Sequence, residues 1–303
     1  MTVVVALGGN ALLRPGERGT AAEQRANLRD VCEALRPLLG DDPLVITHGN
    51  GPQVGNELLR HERAADEAPP LPLYLAVAQT QAEIGALIES ELAPVAGRAV
   101  ACLLTHVVVA EDDPAFAEPT KPIGPFYDEA RARELERERG WKVVHDAGRG
   151  WRRVVPSPEP LEIVELASIR SLLEGGAIVV ACGGGGIPAA RRDGRLAGLD
   201  AVIDKDRASS LLARELGADR LVVLTEVPAV YRDFGTAQQE ELRRLSLEEA
   251  DDLTAGLEAG SMRPKVEAGA DFARATGKEA LITSPAALAE ALAGRAGTRI
   301  RRG

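Results

Sequence analysis

Short apolar runs alternate with stretches of helical spacing along nearly the whole chain, and this limits the folds open to it. Residues 3–7, 44–47, 99–109, 177–182, 201–204, 220–225 and 279–283 are compact and rich in Val, Ile and Leu, and they read as strands. Between them, residues 20–39, 51–63, 75–92, 160–173, 206–216, 247–255, 264–276 and 285–292 read as helices. In the first of these, Leu28, Val31, Leu35 and Leu38 fall on one face. Such alternation predicts an α/β fold with a mostly parallel sheet and helices on both of its faces. Ligands of such sheets bind at the carboxyl ends of the strands.

Glycine clusters fall at those ends. Residues 3–7 run into Gly8-Gly9-Asn10, and residues 44–47 run into His48-Gly49-Asn50-Gly51-Pro52. The run at 177–182 ends in four glycines, Gly183 to Gly186. Such turns bring backbone N–H groups close to an anion. They also serve as plain tight turns. After a short basic loop, a further apolar run delivers Asp204-Lys205-Asp206 to a helix start. Alone, that triplet reads equally as a phosphate-neutralising group or as a solvated cap. His48 reads as a structural neighbour of its strand end.

Composition narrows the chemistry. The net charge of −10 argues against nucleic-acid binding. No apolar run approaches the roughly 18 residues of a membrane span. The first ten residues read as a strand and turn rather than a leader. Cys32, Cys102 and Cys182 have no pairing pattern, so reduced thiols in a cytoplasm are expected. Of 36 basic residues only five are lysines: Lys121, Lys142, Lys205, Lys265 and Lys278. A chain that writes Arg almost everywhere keeps Lys where a compact ammonium is needed. Lys121, Lys205 and Lys265 sit among Gly and Pro at what read as loop–helix junctions, while Lys142 and Lys278 read as surface positions. Point charges of that kind suit phosphoryl transfer, which needs alignment and charge stabilisation.

Common signatures are missing. There is no Gly-x4-Gly-Lys-Ser/Thr loop, no Gly-x-Gly-x-x-Gly fingerprint, no Gly-x-Ser-x-Gly elbow and no zinc spacing. From residue 112 to 160 the texture turns to Pro, Gly and charge, with one charged helix near 128–139 and both tryptophans. That segment reads as an inserted, mobile lobe outside the sheet core.

Several motifs follow in order: Leu7-Gly8-Gly9-Asn10, Thr47-His48-Gly49-Asn50-Gly51-Pro52-Gln53-Val54-Gly55, Lys121-Pro122-Ile123-Gly124-Pro125-Phe126, Gly150-Trp151-Arg152-Arg153, Cys182-Gly183-Gly184-Gly185-Gly186-Ile187-Pro188, Asp200-Ala201-Val202-Ile203-Asp204-Lys205-Asp206 and Ser261-Met262-Arg263-Pro264-Lys265. The set resembles the carbamate kinases of the amino acid kinase superfamily, and the likeness covers nearly the whole chain.

The resemblance implies a three-layer αβα sandwich around a largely parallel sheet. It implies one domain over 1–303, with 112–160 as a protruding lid subdomain that brings Lys121 in. It implies reversible phosphoryl transfer between ATP and carbamate, giving ADP and carbamoyl phosphate. Lys121, Lys205, Asp206 and Lys265 would be catalytic, with Asp206 organising the lysines. Gly8, Gly9, Asn10, Gly49, Asn50, Gly51, Gly184 and Gly185 would hold carbamate and the moving group. Thr225, Val227, Tyr231 and Met262 would border the nucleotide. Mg2+ would ride on the ATP phosphates with no dedicated protein ligand set. A cytoplasmic homodimer with a place in arginine metabolism, and no membrane or nucleic-acid partner, completes the expectation.

Two departures stand out: Glu226-Val227-Pro228 and Gln79-Thr80-Gln81-Ala82-Glu83. The first is expected to alter the nucleotide edge. The second is expected in the core or a dimer interface, and neither is expected to touch a lysine or a glycine loop. Two alternatives stay open: a same-fold kinase for another small carboxylate or a nucleoside monophosphate, and a silent nucleotide or metabolite sensor.

Overall fold

The computed structural model describes residues 1–8, 11–14, 16–146, 150–257 and 262–303. Eight strands form the central sheet. In spatial order they are Arg244–Leu245, Thr298–Ile300, Glu279–Thr283, Arg220–Leu224, Val3–Leu7, Leu44–His48, Ile178–Val180 and Val100–Cys102. Every pairing is parallel except that of Glu279–Thr283 with Thr298–Ile300.

The inner strands are buried on both faces, which is why they read as unbroken apolar runs. Val4 and Ala6 point into a cluster with Leu211, Ala250 and Phe272, on the side of helices Lys205–Glu215, Leu247–Gly256 and Arg263–Thr276. Val3, Val5 and Leu7 point the other way, against Leu28, Ile84 and Ile88 of helices Ala21–Ala34 and Leu73–Ala96. The alternation of a strand's side chains thus builds two cores and three layers. The αβα expectation holds.

Several local expectations do not. Residues 201–204 form no strand; they approach the Lys205–Glu215 helix as irregular chain. The basic loop before them is a hairpin, Ile187–Arg192 with Arg195–Gly198. It belongs to a second, four-stranded sheet with His106–Val108 and Glu162–Ile163. The run at 99–109 is therefore two strands in different sheets, Val100–Cys102 and His106–Val108. Periodicity cannot see such a change of sheet, because both halves remain apolar. The helix expected over 160–173 begins only at Leu166, after the short strand Glu162–Ile163.

Within 112–160 the chain builds its own antiparallel sheet, Lys121–Tyr127 with Gly150–Val155 and Lys142–Asp146. No ladder joins it to the central sheet among the described residues. The charged helix is Glu129–Arg139, capped by Asp128. This unit rests on the helix Gly51–Arg63. A Cβ on Gly55 would come within 2.9 Å of Gly124 Cα, so the two backbones meet directly. Further along that helix, Glu62 accepts Arg131 at 3.0 Å and the Tyr127 hydroxyl at 3.3 Å. Burial first, then the Glu62 charge, pushes the Tyr127 phenol up to about 12.

The glycine run is a tight 3-10 turn wedged between elements. Cys182 enters it in the left-handed region, with φ of 50°. Each glycine meets a different neighbour. An added Cβ would fall 2.4 Å from His48 Nε2 at Gly183, 2.3 Å from the Asn50 amide at Gly184, 2.3 Å from the Ile203 carbonyl at Gly185 and 2.2 Å from Val107 at Gly186. Gly184, Gly185 and Gly186 also have φ between 65° and 91°, where a Cβ is strained. Gly185→Ala is therefore expected to cost about 2 kcal/mol or more, read as a lowered denaturant midpoint. His48 is buried, and desolvation drives its imidazole down to about 4. Its neutral form is expected to persist to that pH by NMR. Because the folded value lies below the unfolded one, its contribution is complete above the unfolded value of about 6.5 and is lost as pH falls through 4, by about 3 kcal/mol.

Candidate active site

The carboxyl ends of the central strands open onto two adjoining cavities. One, of about 690 Å³, is lined by Gly49, Asn50, Gly51, Lys121, Arg152, Gly184, Asp204, Lys205, Asp206, Arg207, Arg263 and Lys265, among others. Three helices begin there: Gly51–Arg63, Lys205–Glu215 and Arg263–Thr276. Each presents the positive end of its dipole, which favours anions. Pro52 and Pro264 stand in the first turns of two of them, where a missing N–H costs nothing.

The three lysines of the cavity are held by two carboxylates. Lys205 Nζ donates to Asp206 Oδ1 at 2.5 Å. Lys265 Nζ donates to Asp206 Oδ2 at 3.3 Å. Lys121 Nζ, from the lobe, donates to Asp204 Oδ2 at 2.7 Å. Burial lowers the Lys205 pKa; the Asp206 charge opposes this, and the like charge of Lys265 adds to it. Gly49 makes room for this arrangement, since a Cβ there would lie 3.3 Å from the Lys205 stem. The Lys205 turn is also tied to the sheet. The Ser209 hydroxyl lies 2.6 Å from the Lys205 carbonyl oxygen and 2.6 Å from the Thr47 hydroxyl.

Asn50 does not cap its own helix with its side chain. Its amide donates instead to Thr80 Oγ1 at 2.9 Å. Beside it, Gln81 Nε2 donates to the Gly183 carbonyl at 2.9 Å, and Gln81 Oε1 accepts the Thr105 N–H at 2.6 Å. The segment 79–83 therefore does reach a glycine loop, contrary to the sequence-based expectation. Thr80 and Gln81 are buried polar residues facing the site from the middle of the Leu73–Ala96 helix.

The glycines divide. Gly49, Gly51 and Gly184 line the cavity. Gly185 does not; its N–H is spent on the Cys182 carbonyl at 3.0 Å. Gly8 lines neither cavity and packs on the Leu224 carbonyl. Gly9 and Asn10 lie outside the described residues. Of the run Gly183 to Gly186, Gly184 lines the cavity, while Gly183, Gly185 and Gly186 pack against His48, the Ile203 carbonyl and Val107.

The second cavity, of about 910 Å³, is lined by Thr225, Glu226, Val227, Tyr231, Phe234, Leu242, Leu245, Leu253, Leu257, Met262 and Arg263, among others. All four nucleotide candidates, Thr225, Val227, Tyr231 and Met262, fall on it. It has apolar walls, and Phe234 is exposed at its rim, 5.8 Å from the Tyr231 ring. Arg263 lines both cavities, so a molecule lying across them would place a flat apolar group in one and anionic groups in the other.

Sequence reasoning missed Asp204 as the partner of Lys121, although charge balance was a signal: three lysines around one aspartate call for a second carboxylate. It also missed Gln81, Arg152, Arg207, Arg263 and Phe234. Among the described residues no group of three His, Cys, Asp or Glu is placed to hold a metal. No helix there is long and apolar enough to cross a membrane.

Comparison with known proteins agrees with this geometry. Residues 1–284 match the amino acid kinase family. A carbamate kinase of Halobacterium salinarum is 48% identical, over 98% of this chain and 97% of its own. A carbamate kinase of Pyrococcus horikoshii is 43% identical, over 98% of each. The solved structure of a Giardia lamblia carbamate kinase bound to AMP-PNP superposes with a TM-score of 0.92 at 40% identity, covering 100% of this chain and 98% of that one. The chain therefore belongs to the amino acid kinase family and, within it, to the carbamate kinases.

Proposed function

We propose that the chain transfers a phosphoryl group reversibly between ATP and carbamate, and that the lysine-lined cavity is where transfer occurs. The observation that carries this is the pairing of Lys205 and Lys265 on one buried carboxylate, Asp206, next to an apolar cavity that fits a nucleotide base. In the forward direction a carbamate oxygen attacks the γ-phosphorus. The new O–P bond forms as the bond to the β–γ bridging oxygen breaks, and ADP leaves with that electron pair. Carbamate is already an anion, so no base has to remove a proton from it. The chain's task is to align two anions and offset their repulsion. Lys205 and Lys265 neutralise the transferring and leaving oxygens, and Lys121 adds charge from the lobe. Gly49, Gly51 and Gly184 let the acceptor approach the backbone closely. Thr225, Val227, Tyr231 and Met262 bound the adenine and ribose.

Asp204 and Asp206 are engaged by lysines, which fits a magnesium ion entering on the nucleotide phosphates and water rather than in a protein cage. That ion adds positive charge on the phosphates. We assign residues 112–160 the role of a lid. Supporting this, Lys121, Pro122 and Arg152 line the cavity from a sheet separate from the central one, with Thr120 and Ser157 beside its strands. A cytoplasmic homodimer is carried over from family resemblance and is checked by sedimentation of the purified protein.

ATP formation from ADP and carbamoyl phosphate by the purified protein is the direct test. Turnover with acetylglutamate, aspartate, glutamate or UMP in place of carbamate would instead favour another acceptor. Lys205→Ala is expected to lower kcat by roughly 100-fold with folding intact; near-normal turnover would remove Lys205 from the chemistry. Lys121→Arg is expected to stay below about a tenth of normal activity, because a planar fork does not replace a point charge.

A further inference from the structure

Asp204 is buried, and its two carboxylate oxygens serve different parts of the molecule. Oδ1 accepts the backbone N–H groups of Asp206 at 2.9 Å and Arg207 at 3.4 Å, which caps the Lys205–Glu215 helix. Oδ2 accepts the Lys121 ammonium at 2.7 Å. The two residues are far apart in the chain and belong to different sheets' surroundings: Lys121 begins the strand Lys121–Tyr127 of the lobe.

Capping alone does not need this charge. Asn or Ser caps a helix about as well as Asp, without the cost of burying an anion. The charge is kept nonetheless. Burial opposes it, but Lys121, by charge and hydrogen bond, then Lys205 and the Asp206 N–H, hold the carboxyl well below the usual range. Lys121 gains in turn. Its side chain is 35% exposed, so without an anion at this point its long stem is free to turn toward water.

We propose that Asp204 is a positioning residue for the transfer reaction: its Oδ2 holds the Lys121 ammonium inside the cavity beside Lys205 and Asp206, so that the lobe's charge is in place before the anionic substrates arrive. The proposal rests on the carbamate kinase reading given above. It separates the two aspartates of the Asp-Lys-Asp triplet. Asp206 arranges the lysines of the central fold, and Asp204 couples the lobe to them.

Asp204→Asn isolates the charge, because Asn keeps a capping oxygen. The variant is expected to fold with its cap retained and to melt several degrees below the parent protein, because the charge pairing with Lys121 is lost. Its kcat for ATP formation from carbamoyl phosphate is expected to fall about tenfold, with KM for ADP within about twofold, the pattern of a contact that matters in the transition state. In a Lys121→Ala background the same change is expected to do less than about twofold, since the two side chains act as a unit. Without ligands, exchange of the Lys121 and Ile123 amides is expected to quicken in Asp204→Asn. Asp204→Ser, which caps but is too short to reach Lys121, replaces it if the Asn variant folds poorly, with the same expectations. Parental kcat in these variants, or an equal loss in both backgrounds, overturns the proposal. If the parent protein makes no ATP from carbamoyl phosphate, the activity reading fails instead. The exchange comparison then decides by itself: unchanged exchange at the Lys121 and Ile123 amides overturns the role of Asp204.

Discussion

Asp206 accepts Lys205 at 2.5 Å on one oxygen and Lys265 at 3.3 Å on the other, and much of the structure follows from keeping that arrangement in place. Two ammonium groups buried close together repel each other and lose hydration, so they persist only around a shared anion. The anion is fixed by its place in the first turn of a helix, and the helix is fixed to the sheet through Ser209 and Thr47. Lys265 comes from a separate helix whose start is set by Pro264. The parallel sheet brings these helix starts to one edge. The cavity is therefore cationic at its centre within a chain of net charge −10.

The same arrangement suits a cavity whose described lining residues include no histidine, serine–histidine pair or cysteine placed to exchange a proton. His48 is next to the glycine turn, but its imidazole is buried and stays neutral far below physiological pH. It fills space against Gly183 and donates to the Gly49 carbonyl through Nδ1 at 3.0 Å. A reaction between anions asks for charge and alignment rather than for proton transfer.

The sequence shows the central fold plainly, because strands such as Val3–Leu7 are buried on both faces and their apolar runs are uninterrupted. It shows Lys121, Lys205 and Lys265 because lysine is scarce enough to stand out. It hides what depends on distant partners. The hairpin Ile187–Arg192 with Arg195–Gly198 is polar at its turn and reads as a loop until its neighbour in space, His106–Val108, is known. Gln81 looks like any polar residue of a long helix, and only the fold brings it to Gly183. Asp204 reads as a cap because capping is local, whereas its contact with Lys121 joins residues far apart in the chain. Gly185 hides its packing in the same way: a glycine in a glycine-rich loop suggests ligand contact, and only the fold shows that an added Cβ there would meet the Ile203 carbonyl.

The four glycines from Gly183 to Gly186 each press on a different element: the end of one strand, the start of a helix, the approach to the transfer helix and a strand of the second sheet. No one of them can gain a side chain unless its own neighbour retreats, and those neighbours belong to parts of the chain with unrelated duties. Change in this loop therefore demands paired substitutions. A single substitution meets no such wall at an exposed position such as Phe234 on the rim of the second cavity. The glycine turn is in this sense interlocked as a block, and room for single changes lies at the margins of the site.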